Sequence, residues 1–430
     1  MRWLSAVLLL AIAAAAETPL SLEEKLLATV PAEHDEKQKM PDPDGNMVEV
    51  GGIILAWSPD GTRVAWLAHS GGRNFGVVDG EKGEISTFAD GIVFSPDGKH
   101  VAWRAGNRTK DDKAERWWIA IDGKKQAEFD LLGPPRFSPD SARVAHWGNE
   151  GAYIAKDGSY AGGKWFVVDG GKRLPGDYSD SDYFTPPVFS PDGKSLAYVA
   201  SPKQGQSVVV AFGKASEAYA LADTPAFSPD GKQIAWGAIK DDRWTVWHNG
   251  MPIGREFDHA GIPVFAPKGG ALAFVGISKG KKFVVVAGKK SGGDFDGIGA
   301  PVFSPDGKAV AFTGNRGGTG FGPPGGGATA ADPYLLDREE PGLQGGEWRV
   351  VAGGKEGEAF DGVQNISWSA DGKAVAYAAK KGAKWRVVAG STKSAEFEEV
   401  GPPRFSADGK KVAFGARVGL ELWWKVVEVR

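Results

Sequence analysis

Along most of the chain, short runs of β-branched and aromatic residues alternate with polar ones. Turn signals separate them at regular spacing, which predicts many short β-strands. One phrase recurs: an aromatic, Ser-Pro-Asp-Gly, a basic residue, then Val-Ala-aromatic. It starts at Trp57, Phe94, Phe137, Phe189, Phe227, Phe265, Phe303, Trp368 and Phe405. The second aromatic position falls nine residues later in every copy, from Trp66 to Phe414, with His146 filling it in the third. A segment of fixed length predicts a rigid hairpin in fixed register. Ser-Pro-Asp-Gly has the chemistry of its turn: Pro presets φ, Asp bonds back to the backbone, and Gly accepts φ > 0.

A second strand pair follows each hairpin. It opens on an aromatic anchor, as in Lys164-Trp165-Phe166-Val167-Val168, and ends in a short acidic-aromatic strand such as Glu256-Phe257-Asp258. Each unit therefore has four strands, a to d, and a unit alone cannot bury both its faces. Radial packing of nine units covers each sheet with its neighbour. The expected fold is all-β, a single β-propeller of nine four-stranded blades over residues 46–430; eight blades with one divergent copy outside is the alternative. The last unit stops after strand c at Trp424-Lys425-Val426-Val427. The segment Met47-Val48-Glu49-Val50-Gly51-Gly52 reads as the missing strand d, which would close the ring as an N-terminal strand completing the last blade. Residues 17–45 form an N-terminal extension, in which Ser21-Leu22-Glu23-Glu24-Lys25-Leu26-Leu27 predicts a short helix. Glu33 to Asp44 reads as a polar tether.

Ser58-Pro59-Asp60-Gly61 with Val64-Ala65-Trp66, and the matching phrases elsewhere, resemble the TolB-like, PD40-type (WD40-like) β-propeller repeat. The resemblance implies the propeller fold. It leaves function open, because such repeats serve in periplasmic scaffolds and as gating domains on peptidases. Some copies depart from the pattern: Ser141 replaces Gly, the sixth reads Ala266-Pro267-Lys268-Gly269, and Ala370 and Ala407 replace Pro.

Length varies elsewhere. From the second aromatic to the strand c anchor the spacings are 9, 15, 19, 9, 8, 9, 36, 8 and 10. Units two, three and seven thus carry insertions, opening on Gly106-Asn107, Gly148-Asn149 and Gly314-Asn315. The d-to-a connection lengthens once, from Asp177 to Phe184. In a meandering blade the b–c and d–a loops share one face, so all irregular lengths fall on one side, where function is expected. The longest insertion, 316–346, is Gly-rich at first and ends in Asp332-Pro333-Tyr334-Leu335-Leu336-Asp337. The contact candidates are Asn107, Arg108, Asn149, Tyr153, Tyr160, Tyr178, Tyr183, Asn315, Arg316, Phe321 and Tyr334, since Tyr and Arg are enriched among interface anchors.

Composition narrows the partners. Lys+Arg 51 against Asp+Glu 54 leaves a net charge of -3, with no basic excess to argue for nucleic acid or anionic lipid. Residues 1–16 read as a signal peptide, with Arg2, an apolar run and Ala14-Ala15-Ala16, so cleavage is expected after Ala16. That predicts a soluble, monomeric, periplasmic or secreted protein without a membrane span. With Cys 0 there are no disulfides and no cysteine nucleophile. No catalytic residue, metal ligand or cofactor is assigned. The histidines do not cluster, Asp177, Asp180 and Asp182 lack the Gly and Glu of a calcium loop, and no Gly-x-Ser-x-Gly elbow occurs. The 16 tryptophans, Trp3 aside, fall in or beside strands and read as core, with Trp117, Trp147 and Trp423 expected to be the more exposed. The expectation is a non-catalytic scaffold for an envelope or secreted protein partner. The alternative is a propeller that binds glycan or peptidoglycan, with or without hydrolysis.

Overall fold

A computed structural model describes residues 20–34, 37–41, 47–51, 53–109, 114–156, 159–181, 186–318 and 345–430. The chain is all-β, a nine-bladed β-propeller of four-stranded antiparallel blades in successive repeats. Blade 2 shows the plan: strand a Phe88–Phe94, b Val101–Arg108, c Glu115–Ile121 and d Lys124–Phe129, paired in that order. Two compact units divide the chain. The first runs to Asp177 and includes Arg417–Trp424; the second comprises Tyr178–Ala416 and Lys425–Arg430.

The a–b turn explains the invariant nine-residue spacing. In every copy but the sixth, the Ser hydroxyl donates to the Asp carboxylate two residues on, at 2.5–2.7 Å. The same Ser oxygen accepts the N–H of the residue five positions on, at 2.9–3.0 Å, and the Asp accepts the N–H two positions after itself. Each Ser is buried, so its bonds are made away from water. The Ser190 hydroxyl, and then the Lys194 amide, hold the Asp192 carboxyl below its ordinary pKa. The copies with Ala370 and Ala407 keep the whole pattern, so the clip needs Ser and Asp and does not need Pro.

A fixed hairpin puts the strand b aromatic where the preceding blade can reach it. Within the first unit Phe129 of strand d meets His146 of the next blade edge-on at 5.4 Å. Within the second unit Phe257–Phe274, Phe295–Phe312, Phe360–Tyr377 and Phe397–Phe414 do the same at 5.4–6.1 Å. These edge-to-face pairs, seated among buried Val and Ala, are the glue between consecutive sheets.

Proline decides the form of strand a. In blade 3 Gly133-Pro134-Pro135 splits it into Leu131–Leu132 and Arg136–Phe137, because proline has no N–H for the ladder. Blade 2, with Asp90-Gly91-Ile92 at that place, keeps one strand with a bulge between Asp90 and Val93.

The closing strand is not the one expected. Lys25–Thr29 pairs antiparallel with strand c of the last blade, Lys25 opposite Trp424 and Thr29 opposite Glu421. The segment read as a helix is therefore this strand. Met47–Gly51 pairs instead with Lys37–Pro41, in a two-stranded hairpin over the stretch read as a tether. The edge of Glu421–Glu428 is a row of unpaired N–H and C=O groups, and covering it outweighs a weak local helix signal. The strand is fixed at both ends: the Trp424 indole N–H donates to Ser21 C=O at 2.9 Å, and Val30 N–H donates to Leu420 C=O at 2.8 Å. Val30, fully buried, joins Leu55, Trp66, Phe75 and Leu422 in one core cluster.

Ser190→Ala is expected to lower unfolding stability by about 1–3 kcal/mol, since Asp192 and the Ser195 N–H both lose a partner. Pro191→Ala should cost less than about 1 kcal/mol. Urea unfolding of the two variants checks the difference.

Candidate functional site

The insertions of blades 2 and 3 meet within the first unit. The strand b–c hairpin of blade 3 is long, Val144–Ile154 against Tyr160–Asp169, and carries Tyr153 and Tyr160. Both are exposed, at 55% and 45%. Gly162, at φ 74°, lets Tyr153 lie flat against the backbone; a Cβ there would come within 2.9 Å of the ring. The Tyr160 hydroxyl reaches back to blade 2 and donates to Glu115 Oε2 at 2.5 Å.

Glu115 is the centre of this cluster. It is buried at 3% exposure and also accepts the Trp117 indole N–H at 2.9 Å and the Arg108 Nε–H at 3.4 Å. A carboxylate removed from water needs such donors. Trp117 stacks on Phe88 at 5.4 Å and lies against Gly106, where a Cβ would come within 2.6 Å of the ring. Beneath it, Arg104 sits 5.0 Å from the same ring and is itself buried. Its guanidinium donates twice to Asp90, at 2.7 and 2.5 Å, and once to Leu132 C=O at 2.8 Å. That ties strand a of blade 2 to strand a of blade 3. A third tie is Asp130, which accepts Gly151 N–H at 2.6 Å and Arg116 Nη1–H at 2.5 Å. The result is a base of buried and half-buried polar groups bonded to one another, carrying exposed Arg108, Arg116 and Tyr160. Such an arrangement can hold a partner; among the described residues, no three His, Asp or Glu side chains gather as metal ligands.

The structure divides the contact candidates. Arg108 and Tyr160 come together on Glu115, whereas Tyr153 is exposed elsewhere on the blade 3 hairpin, opposite Ala161. Asn107 is half-buried, and its Oδ1 accepts Thr87 N–H at 2.8 Å, which fixes the d–a loop. Asn149 and Asn315 are fully buried and offer no atom to a partner. Asn315 instead holds the stem of the blade 7 loop, donating to Gly345 C=O at 3.2 Å and accepting Gly318 N–H at 3.1 Å. The glycines before them admit the preceding blade's aromatic: a Cβ on Gly314 would come within 2.5 Å of Phe295, and on Gly148 within 3.1 Å of Phe129. The recurring Gly-Asn is thus packing and turn chemistry. Tyr178 belongs to the second unit, where its hydroxyl lies 3.4 Å from that of Tyr198. Arg316 forms a two-pronged pair with Glu356 at 2.6 Å and caps Phe295. Tyr183, Phe321, Tyr334 and most of 316–346 lie outside the described residues.

Glu115, Trp117, Arg104 and Asp130 were not among the contact candidates read from sequence. A signal for Asp130 exists: the Asp after a strand d aromatic caps the b–c turn 21 residues on, at Gly151, Lys279, Gly317 and Gly382 for Asp130, Asp258, Asp296 and Asp361. The tryptophans among the described residues are buried or half-buried, and none is exposed. Trp117 and Trp147, expected to be more exposed, are buried at 9% and 1%; Trp423 is half-buried.

No family model matches the chain, and no curated protein matches it. Among solved structures it is similar to a eukaryotic initiation factor, at 13% identity over 85% of this chain and 96% of that one, TM-score 0.47. It is also similar to the Dos1 propeller, at 12% identity over 79% and 92%, TM-score 0.39. A third is the β-propeller domain of the Trilobed protease from Pyrococcus furiosus, at 13% identity over 70% and 95%, TM-score 0.35.

His146 is a core residue in place of an aromatic. Its Nδ1–H donates to Trp147 C=O at 2.9 Å, and burial lowers its pKa to about 4. The unfolded chain then binds more protons than the folded one between pH 6.5 and 4, so stability falls as pH falls through that window. His146→Phe is expected to recover about 2 kcal/mol of the loss between pH 7 and 4.5, read by urea unfolding at both values. Glu115→Ala should strand the Tyr160 and Trp117 donors and raise hydrogen exchange across Tyr160–Asp169, with strand b of blade 1 as the unchanged reference.

Proposed function

We propose that the protein is an exported, non-catalytic binding scaffold of the cell envelope that captures a protein partner through the b–c and d–a loops. The observation that carries the reading is the contrast between the two ends of the blades. The a–b turn keeps one length in all nine copies, whereas blades 2, 3 and 7 are lengthened at the other end. In blades 2 and 3 the added residues stand on the Glu115 cluster, which orders Arg108 and Tyr160 before any partner arrives. A preordered rim loses little entropy on binding. Tyr153, exposed on the same blade 3 hairpin, has the character of an interface anchor. The likeness of the repeat to TolB-like, PD40-type units and the leader-like residues 1–16 support an envelope location. The propeller fold itself supports an interaction scaffold in general.

Crosslinking affinity capture from the envelope fraction of the source organism tests this reading. The full chain is expected to retain a specific protein. Arg108→Ala with Tyr153→Ala should reduce its recovery at least tenfold, with the melting temperature unchanged. Equal recovery from that variant and from a chain lacking 316–346, or no specific protein with any of the three, overturns it.

A further inference from the structure

Sorting charge by blade end reveals a difference between the units that the net charge of -3 conceals. In the first unit an aspartate of the c–d turn faces the last residue of each a–b turn: Arg63 meets Asp79 at 2.6 Å, the His100 ring meets Asp122 at 2.7 Å, and Arg143 meets Asp169, while Lys99 stands exposed 3.6 Å from Asp97 of its own turn. In the second unit the matching c–d turns carry no aspartate. The positions of Asp79 and Asp122 are filled there by Phe212, Asn249, Ala287, Gly353 and Gly390. The a–b turns meanwhile carry Lys194, Lys232, Lys268, Lys308, Lys373 and Lys410, all exposed. The c–d turns add exposed Lys214, Lys289 and Lys355, and Lys393, which pairs with Glu358 at 2.6 Å.

The carboxylates on the same turns offset this only in part. Asp192, Asp306 and Asp371 are drawn onto their Ser hydroxyls, and their lysines stand 3.5–3.9 Å away with side chains 83–85% exposed. Exposed pairs that loose bind weakly and leave the lysines available. Glu356 is taken up by Arg316. The turns share one end of the blades within this unit: Gly231 packs on Ser190, Gly372 on Ser304 and Gly409 on Ser369.

Two large apolar side chains stand among these lysines, Phe212 at 44% exposure and Met251 at 68%. Phe212 has φ 52°, a left-handed conformation that a bulky side chain adopts only at a cost. Its ring touches Phe227 edge-on at 5.4 Å and is otherwise turned outward. Asn or Asp would fill that turn position without strain, as Asn249 and Asp79 do. A strained aromatic and an exposed methionine on c–d turns, at the blade end that carries the exposed turn lysines, match a surface that is anionic outside and apolar just beneath.

We propose that the a–b and c–d turns of the second unit dock on an anionic lipid bilayer, with Phe212 and Met251 entering the interface and the turn lysines meeting the headgroups. Within a blade these turns lie at the end opposite its b–c and d–a loops, and they share no residue with the rim assigned to protein capture, so the two proposals fail separately.

Co-sedimentation of the full chain with vesicles tests it. The chain is expected to pellet with phosphatidylglycerol–phosphatidylcholine vesicles, to stay in solution with phosphatidylcholine alone, and to be released by 0.5 M salt, roughly as the screening length contracts to a few ångströms. Lys214→Glu with Lys232→Glu and Lys308→Glu should lower the partition coefficient by about a hundredfold or more, from roughly fivefold per lysine. Phe212→Asn with Met251→Gln should lower it about tenfold while the melting temperature holds or rises. Arg108→Ala with Tyr153→Ala should leave it unchanged. No pelleting with anionic vesicles, equal pelleting with phosphatidylcholine, or indifference to both turn variants overturns the proposal. Binding to soluble polyglutamate without binding to vesicles overturns it as well, and points to an acidic protein.

Discussion

A serine hydroxyl bonded to the aspartate two residues on determines the length of nearly every a–b hairpin, and the rest of the fold is registered from that length. With Ser58 and Asp60 clipped, strand b starts at a set distance from strand a, and Trp66 falls where it does. In later blades the equivalent aromatic then lies edge-on to the last aromatic of the blade before it, as Phe312 does to Phe295. One residue more in the turn would move that ring to the other face of the sheet and leave the contact unmade. The sixth copy shows which part of the clip is indispensable. Ala266 and Lys268 make no such bond, yet the Ala266 N–H still donates to Ala271 C=O at 2.7 Å and Gly269 keeps φ 84°. Backbone closure and a left-handed residue define the turn; the side chains stabilise it.

That division explains how much of the fold was legible in the sequence. Repetition exposes what every blade needs, so the hairpin, the strand count and the nine blades could be read from spacing alone. Ring closure happens once and leaves no repeat to compare. Ser21, Glu23 and Glu24 look locally like a helix start, and Met47–Val50 alternates like a strand. The outcome was decided instead by an unpaired edge some 400 residues away, where Trp424 reaches Ser21. A seven-residue helix in water is marginal, whereas an uncovered strand edge in a closed sheet array is not tolerated.

The candidate site was legible in outline for a related reason. Insertions announce themselves by breaking a period, and they led to the b–c loops of blades 2 and 3. Within those loops the sequence could not separate a residue that supports from one that presents. Asn149 and Asn315 sit beside the insertions, as contact residues would, but both are fully buried, and Asn315 holds the stem of its loop. Glu115 stands among other charged residues and has no local feature that sets it apart. Only the fold brings Tyr160, 45 residues on, to its carboxylate.

Charge followed a different logic from length. The clip fixes the Asp of each a–b turn in place but leaves the next residue free to point outward, and nothing in the hairpin restricts what the facing c–d turn carries. Arg63 and Asp79 fill those two places in blade 1, whereas Ala309 and Gly353 stand at the matching places in blade 7 and Lys308, one position earlier, is exposed. Both solutions satisfy the backbone equally, so stability does not choose between them. A uniform architecture with unequal turn chemistry means that the lysines and Phe212 of the second unit are not demanded by folding. Phe212 in particular works against it, because a residue with a left-handed backbone is most cheaply Gly or Asn. A side chain that costs the fold, at a position where cheaper ones are in use a blade away, is best accounted for by what it meets outside the chain.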